Sequence, residues 1–262
     1  MIELSFAQLQ GWIALFLWPF ARIAAFIATA PLFGHASVPA RVKIGLAALL
    51  TVAVSSALPT PPPAAILSWS GLGILIEQFL IGVAMGLALH ILFAAVQAAG
   101  EFIGLQMGLA FATFFSSDTG TNTAILSRLL YMLALLMFLA FNGHLMTIEV
   151  LAASFVTLPI GVGGLQASAF ELLVRFAGTL FVSGLLLALP LVAALLIINL
   201  AMGILNRAAP QFTVFSVGFP VSLTAGIFLM TLLMNDLGRF LQGLFSEGLR
   251  FMQELVLVMA GA

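Results

Sequence analysis

The side chains able to carry out chemistry are few: eight Lys and Arg, nine Asp and Glu and three His in 262 residues, with no Cys. His35, His90 and His144 show no metal-ligand spacing, and no His-Glu-x-x-His occurs, so no metal site is expected. His144 with Glu149 would be a possible pair on a helix; the plainer reading is a helix-end histidine capping carbonyls. No serine lies in Gly-x-Ser-x-Gly, and the glycine-rich pieces lack the Lys-Ser or Lys-Thr that ends a phosphate loop. Absence of cysteine removes thiolate nucleophiles, thiolate metal sites and disulfides. These absences argue against an enzyme and against a cofactor. The ionisable groups of interest are instead the ones stranded in apolar sequence: Arg22, Glu77, Glu101 and Arg128. Each costs at least ~2.5 kcal/mol at the centre of a membrane helix, so each requires a partner, a cavity or an interface. For Arg22 and Glu77 the plain reading is charge pairing within an oligomer that fixes its geometry; Glu101 is the candidate for function.

Glu101 opens the stretch around which the chain is organised, GEFIGLQMGLAFATFFSSDTGTN, Gly100 to Asn122. Gly100, Gly104 and Gly108 recur every four residues and would share one helix face, flat enough for another backbone to approach. Gln106 and Met107 sit at its end. After Met107, small, hydroxyl and turn residues replace the helical pattern, so Leu109 to Asn122 is expected to leave the helix as a loop carrying Phe111, Phe114 and Phe115. A loop at membrane depth is tolerated only inside protein or beside a water-filled path. The functional reading is a mobile apolar closure of a pore or cavity, with Gln106 and Met107 at its root; the bland reading is a helix end whose phenylalanines fill core gaps.

The elements that must position these groups are membrane-grade. Hydrophobic residues make up 63% of the chain and charged ones 6%, against roughly a quarter charged in soluble domains. The expected fold class is therefore all-α and polytopic, built of helical hairpins. A net charge of −1 gives nucleic acid no basic face to bind. Leu9 to Ala30 is about one bilayer thickness, with Pro19 as a kink. Ala28-Thr29-Ala30 has the shape of a signal-peptidase site, but the basic segment that should precede it is missing, so an uncleaved first helix is expected. Ile44 to Leu58 is a short second span, and Pro59, Pro61, Pro62 and Pro63 form a stiff extended connector. Ser70 to about Ala99 is a third span, with Glu77 and His90 inside it. Ile125 to Phe141 follows, then an Asn142-Gly143-His144 turn and Leu145 to Leu158 as a shorter hairpin partner, ended by Pro159, Gly161, Gly163 and Gly164.

Phe170 to Asn206 is too long for one crossing, and Pro190 divides it into two segments or kinks one long helix. Arg207 to Pro220 is a polar and aromatic reversal, so Gly184 to Met234 reads as a long hairpin. From Leu237 onward Leu241, Leu244, Phe245, Leu249, Met252, Leu255 and Val256 recur at helical spacing opposite Arg239, Gln242, Ser246, Arg250 and Gln253. That pattern predicts an amphipathic terminal helix docking on a partner or a membrane face through Leu241, Leu244 and Phe245. Arg41 with Lys43, and Arg207, would lie in the cytoplasm, placing the proline connector outside and the Arg207 tip inside.

With these pieces located, the chain resembles the FliR/SctT family of type III secretion export-gate subunits. The resemblance rests on PARVKIGLA (Pro39 to Ala47), GE-x-x-G-x-QMG (Gly100 to Gly108), Gly143-His144, Ser154-Phe155 with Pro159, and R-x-x-PQ-x-x-VF-x-VGFP (Arg207 to Pro220). The tip thus contains Pro210, Gln211, Phe215 and Gly218. Ser116-Ser117-Asp118-Thr119 departs from the Asp-Pro that the family places after the aromatic loop. The resemblance implies a single export-gate domain over 1-262, FliP-like over about 1-183 and FliQ-like over about 184-262. It further implies one copy beside several FliP and FliQ copies in a helical hetero-oligomer of the bacterial inner membrane, at the flagellar basal body. FlhB, FlhA, rod proteins on the outer side and membrane lipid would be the neighbours, and unfolded polypeptides the cargo. The same resemblance implies that 109-118 plugs the closed channel, that Gly100, Glu101, Gly104 and Gly108 serve packing and assembly, and that helices apolar enough to span can sit largely above the bilayer, buried by neighbours. The alternative is a small-molecule secondary transporter with Glu101, Gln106 and His90 at a midplane site, for which inverted repeats would be expected and none is found.

Overall fold

The computed structural model describes residues 6–55, 58, 62, 65–109, 125–161, 165–209 and 217–261. Phe111, Phe114, Phe115 and Asp118 of the aromatic loop, Pro210, Gln211 and Phe215 of the tip, and Pro59, Pro61 and Pro63 of the connector lie outside the described residues. Among those described there are helices and no strand: α1 (Phe6–Thr29), α2 (Ala40–Ser55), α3 (Trp69–Gln106), α4 (Ile125–Ala140), α5 (Gly143–Thr157), α6 (Ala167–Phe176), α7 (Gly178–Ala208) and α8 (Phe219–Ala260). Four stretches are long and apolar enough to cross a membrane: Gln10–Thr29, Trp69–Gln106, Ala167–Ala208 and Phe219–Ala260. The chain is thus all-α and polytopic in character. α3, at 38 residues, runs about 57 Å at about 1.5 Å per residue, nearly twice the ~30 Å hydrocarbon core. α8, at 42 residues, is longer still.

The described helix ends have local causes. Pro39 leads into α2, where its carbonyl accepts from the Val42 and Lys43 N–H groups at 2.9 and 3.3 Å. Pro19 stays inside α1, and Pro190 stays inside α7. Of the two alternatives expected at Pro190 the long helix running through it is the one formed, and the long apolar run is interrupted at Ala177-Gly178, between α6 and α7. There the Ala177 N–H is shared between the Leu173 and Val174 carbonyls at 3.1 and 3.2 Å, a three-centre bond common at helix termini. Pro190 lies exposed on its helix and lines a cavity with Leu229, Leu233 and Phe240 of α8, so the ring has room there. At Asn142 the chain enters the left-handed region (φ 56°) and α5 begins at the next residue, the turn expected from Asn-Gly.

The helices group into two compact units. One contains residues 1–91, 142–177 and 246–262, and its core is built where α3 meets α1. Trp18 and Ile74 pack together with Ala14, and Ile23, Phe26, Ile27, Ile81 and Met85 are buried as well. Gly82 and Gly86 let the helices close: a Cβ on Gly82 would collide with the Arg22 carbonyl and one on Gly86 with Thr29, which is how small residues draw apolar helices together. Phe176 stacks on Phe251 at 3.6 Å.

The other unit contains residues 92–141 and 178–245. Phe93 lies at its centre, with ring centroids of Tyr131, Phe138 and Phe245 at 5.9, 5.5 and 5.4 Å. Spacings in this range carry ~0.5–1.5 kcal/mol per pair beyond area burial. Gly184 of α7 sits where a Cβ would lie 2.8 Å from the Ala95 carbonyl oxygen, so α3 and α7 also touch through a small residue.

The amphipathic segment is not a separate helix but the second half of α8. Leu241 is fully buried, and Leu244 and Phe245 are each 4% exposed. The expectation that these three dock on a partner or a membrane is therefore corrected: their apolar face is consumed inside the chain, Phe245 against Phe93 and Phe138. The helical spacing was right, but spacing reveals only that a face needs cover, not what covers it.

Candidate functional site

Two places gather the polar groups that the sequence singled out. In the first unit, Arg22 is fully buried on α1. Its Nε donates to Gln78 Oε1 at 2.8 Å, Nη1 to Ser154 Oγ at 3.0 Å, and Nη2 to the Leu158 carbonyl at 2.9 Å. The guanidinium carbon stands 4.2 Å from the Phe155 ring centroid. Leu158 caps the C-terminus of α5, where the last carbonyls lack helical partners and carry the negative end of the dipole. Ser154 Oγ donates to the Leu151 carbonyl at 2.6 Å and so offers its lone pairs to the arginine. Arg22 is hydrogen-bonded to neutral groups of its own chain, and Glu77 of the same chain acts on it electrostatically, which corrects the expectation of charge pairing within an oligomer. Glu77, beside Gln78, is also buried. Sequence reasoning missed Gln78 altogether. The signal was its position one turn from Ile74 on an apolar helix, where an amide requires a partner. This site is a three-helix clamp.

The second place is the end of α3. Gly100 and Gly104 are buried against the start of α4: a Cβ on Gly100 would lie 2.5 Å from Ser127 Cα and 2.6 Å from its nitrogen, whereas one on Gly104 would meet only Leu126 Cδ1 at 3.8 Å. The two glycines are therefore not equivalent. Gly100→Ala is expected to lower stability by about 1–3 kcal/mol through overpacking against backbone. Gly104→Ala, in ordinary contact, is expected to hold or gain up to ~1 kcal/mol from helix propensity. Thermal denaturation of the detergent-extracted protein measures both, and equal losses would contradict the distinction.

α3 closes with the Gly108 N–H bonded to the Leu105 carbonyl at 3.1 Å, the Leu109 N–H to Gly104 at 3.0 Å, and φ of +80° at Gly108. That is a Schellman cap with glycine at the left-handed position, and it ends the helix where the sequence pattern ran out. Gln106 contributes its backbone: its carbonyl accepts from Asn199 Nδ2 at 3.1 Å, and Asn199 Oδ1 accepts from Ser222 Oγ at 2.6 Å. Met107 is 2% exposed, and its side chain occupies the space in front of Gly226, where a Cβ would lie 2.5 Å from Met107 Cγ. Asn199 and Ser222 were missed in the sequence, although each is a hydrogen-bonding residue in an apolar run and would be expected to find a partner across helices.

The remaining candidates are dispersed. Glu101 and Arg128 are exposed, as is His90. Arg207 lies exposed in the last turn of α7, and Gly218 and Pro220 enter α8. His144 stands in the first turn of α5, where the Leu145 and Met146 N–H groups are bonded to the Asn142 carbonyl. Its Nδ1 is buried without a hydrogen-bond partner among the described residues. No cluster of three or more metal-binding side chains occurs among the described residues.

Comparison with known proteins completes the picture. Residues 13–248 match the family described as bacterial export proteins, family 1. The flagellar biosynthetic protein FliR of Pectobacterium carotovorum subsp. carotovorum is 49% identical over 249 residues, covering 94% of each chain. FliR of Escherichia coli (strain K12) is 45% identical over 256 residues and 98% of each chain. FliR of Bacillus subtilis (strain 168) is 32% identical over 245 residues, 92% of this chain and 94% of its own.

Proposed function

We propose, on the premise that this chain belongs to the bacterial export proteins of family 1, that it is a core subunit of the flagellar type III export gate. A role in flagellar protein export follows from the family itself. The finer reading is a non-enzymatic inner-membrane subunit of the flagellar basal body. It forms, with several copies each of FliP and FliQ, the channel through which unfolded polypeptides leave, with FlhB, FlhA and rod proteins as neighbours. The observation that carries this is similarity along nearly the whole chain to flagellar FliR proteins. Two features of the fold support it. Helix α7 buries a narrow stripe and leaves Phe181, Ile197, Leu200 and Ile204 more than 60% exposed, so its other faces need lipid or protein. Helices α3 and α8 are longer than a bilayer core requires, which suits helices partly covered by neighbouring subunits. Gly100, Glu101, Gly104 and Gly108 then serve packing. Met107 and Gln106 form the root of a plug made by Phe111, Phe114 and Phe115, and the tip from Arg207 to Pro220 faces the cytoplasm.

The test is purification from a flagellated host. Affinity capture of the tagged chain from mild detergent is expected to recover two further integral membrane proteins, FliP and FliQ, in excess over it. Recovery of the chain alone, or as a homomer, would overturn the reading.

A further inference from the structure

We infer that Asn199 and Ser222 are positioning residues that latch the end of α3 to the α7–α8 hairpin. The inference rests on the export-channel reading above for its functional consequence, but its structural content stands on the described residues alone. A helix leaves its last four carbonyls without helical partners. At the end of α3 the carbonyls of Ile103, Gly104 and Leu105 accept from Met107, Leu109 and Gly108, and the Gln106 carbonyl accepts from Asn199 of α7. The same Asn199 amide accepts the Ser222 hydroxyl of α8 with its oxygen, which fixes the amide orientation and aims its N–H at Gln106. One residue further on, Met107 fills the space left by Gly226, also on α8. Successive residues of α3 are thus held by two unlike contacts, polar through α7 and apolar through α8.

The arrangement joins three helices through a single side chain. A displacement of α7 past α8 would misalign the Ser222 to Asn199 bond, and a displacement of either would free the Gln106 carbonyl. Both bonds are neutral, and no ion pair has to be broken, so the latch is reversible. A displacement of the hairpin would therefore change how the end of α3 is held as far as Leu109.

The absence of cysteine makes the test direct. In cells assembling the complete apparatus, Met107→Cys with Gly226→Cys reports docking by disulfide cross-linking, and ion leak and complex recovery are measured in parallel. Asn199→Leu is expected to reduce cross-linking and raise leak about tenfold, the equivalent of about 1.4 kcal/mol, at undiminished recovery. Ser222→Ala is expected to act in the same direction and Ser222→Thr, which keeps the hydroxyl, to restore native values. Native cross-linking in both Asn199→Leu and Ser222→Ala would overturn the latch. Should Asn199→Leu fail to assemble, Ser222→Ala against Ser222→Thr decides, and equal behaviour of that pair overturns it. Replacing Phe111, Phe114 and Phe115 by alanine is the control. If that variant leaks while Asn199→Leu does not, the latch has no role in closure; if it does not leak, the plug reading fails while cross-linking still tests the latch.

Discussion

Replacing Arg22 by alanine is expected to remove most of the chain from the membrane within the lifetime of the cell. The guanidinium makes three hydrogen bonds to α3 and α5 and covers the Phe155 ring. Its loss orphans Gln78 Oε1 and the Leu158 carbonyl, at ~1–3 kcal/mol for each buried group left unsatisfied, and opens a void. An opposite effect must be weighed against this: α1 without the charge inserts more easily, by ~2.5 kcal/mol on insertion scales. The two act at different times. Pulse-labelled Arg22→Ala should enter the membrane at least as well as the native chain and then disappear faster in the chase. Arg22→Lys keeps the charge but not the planar fork that reaches three acceptors, and should fall between. Arg22→Met with Gln78→Leu replaces polar partners on both sides by apolar ones, which in buried networks is often close to neutral, and should recover part of the loss. An Arg22→Ala chain as long-lived as the native one would show that the clamp contributes nothing.

Arg22 also illustrates what can be read from the sequence. That a charge inside an apolar span needs satisfaction follows from its cost alone, and the sequence marked it. That its partners would be an amide, a hydroxyl and a helix-end carbonyl did not follow, because all three are neutral and lie 56, 132 and 136 residues away. Two of those contacts involve Ser154 and Leu158, and Phe155 lies between them. They fall within the Ser154-Phe155 and Pro159 motif that first carried the family resemblance, which now has a physical content: it builds the receptor for Arg22.

The helices themselves were legible where punctuation is strong. α3 ended where the helical pattern ran out, but Gly108, expected on one helix face with Gly100 and Gly104, lies beyond the helix in the left-handed cap position, which glycine takes at no steric cost; Asn142-Gly143 made its turn for a related reason. Pro190 left two outcomes open, a break or a long helix containing it, and the helix runs through it, because an exposed proline can remain within a helix packed along a different stripe. The face of Leu241, Leu244 and Phe245 did mislead. Periodicity identifies the side that is buried, but the aromatic cluster of Phe93, Phe138 and Phe245 joins positions far apart in the chain, and no local pattern encodes that pairing. The Gln106, Asn199 and Ser222 connection is of the same kind.

The largest functional effect is expected from the aromatic loop. If Phe111, Phe114 and Phe115 close the export path by excluding water, the seal depends on contact area, at ~25 cal/mol per Å² of apolar surface. Each ring then contributes at most a few kcal/mol, and an arriving substrate or partner can supply that much. The described packing at the end of α3 runs through other residues: Gly100 sits against Ser127, and Met107 is seated at Gly226. Alanine at all three positions, or deletion of 109–118, is therefore expected to leave recovery of the complex unchanged while small ions pass through it, so that growth of the cells becomes sensitive to the external salt. Were the rings ordinary core filling, the same changes would leave voids costing ~3–5 kcal/mol each, and recovery would fall without leak. Leak and recovery measured on the same cells separate the two, and intact assembly without leak would place the seal elsewhere in the channel.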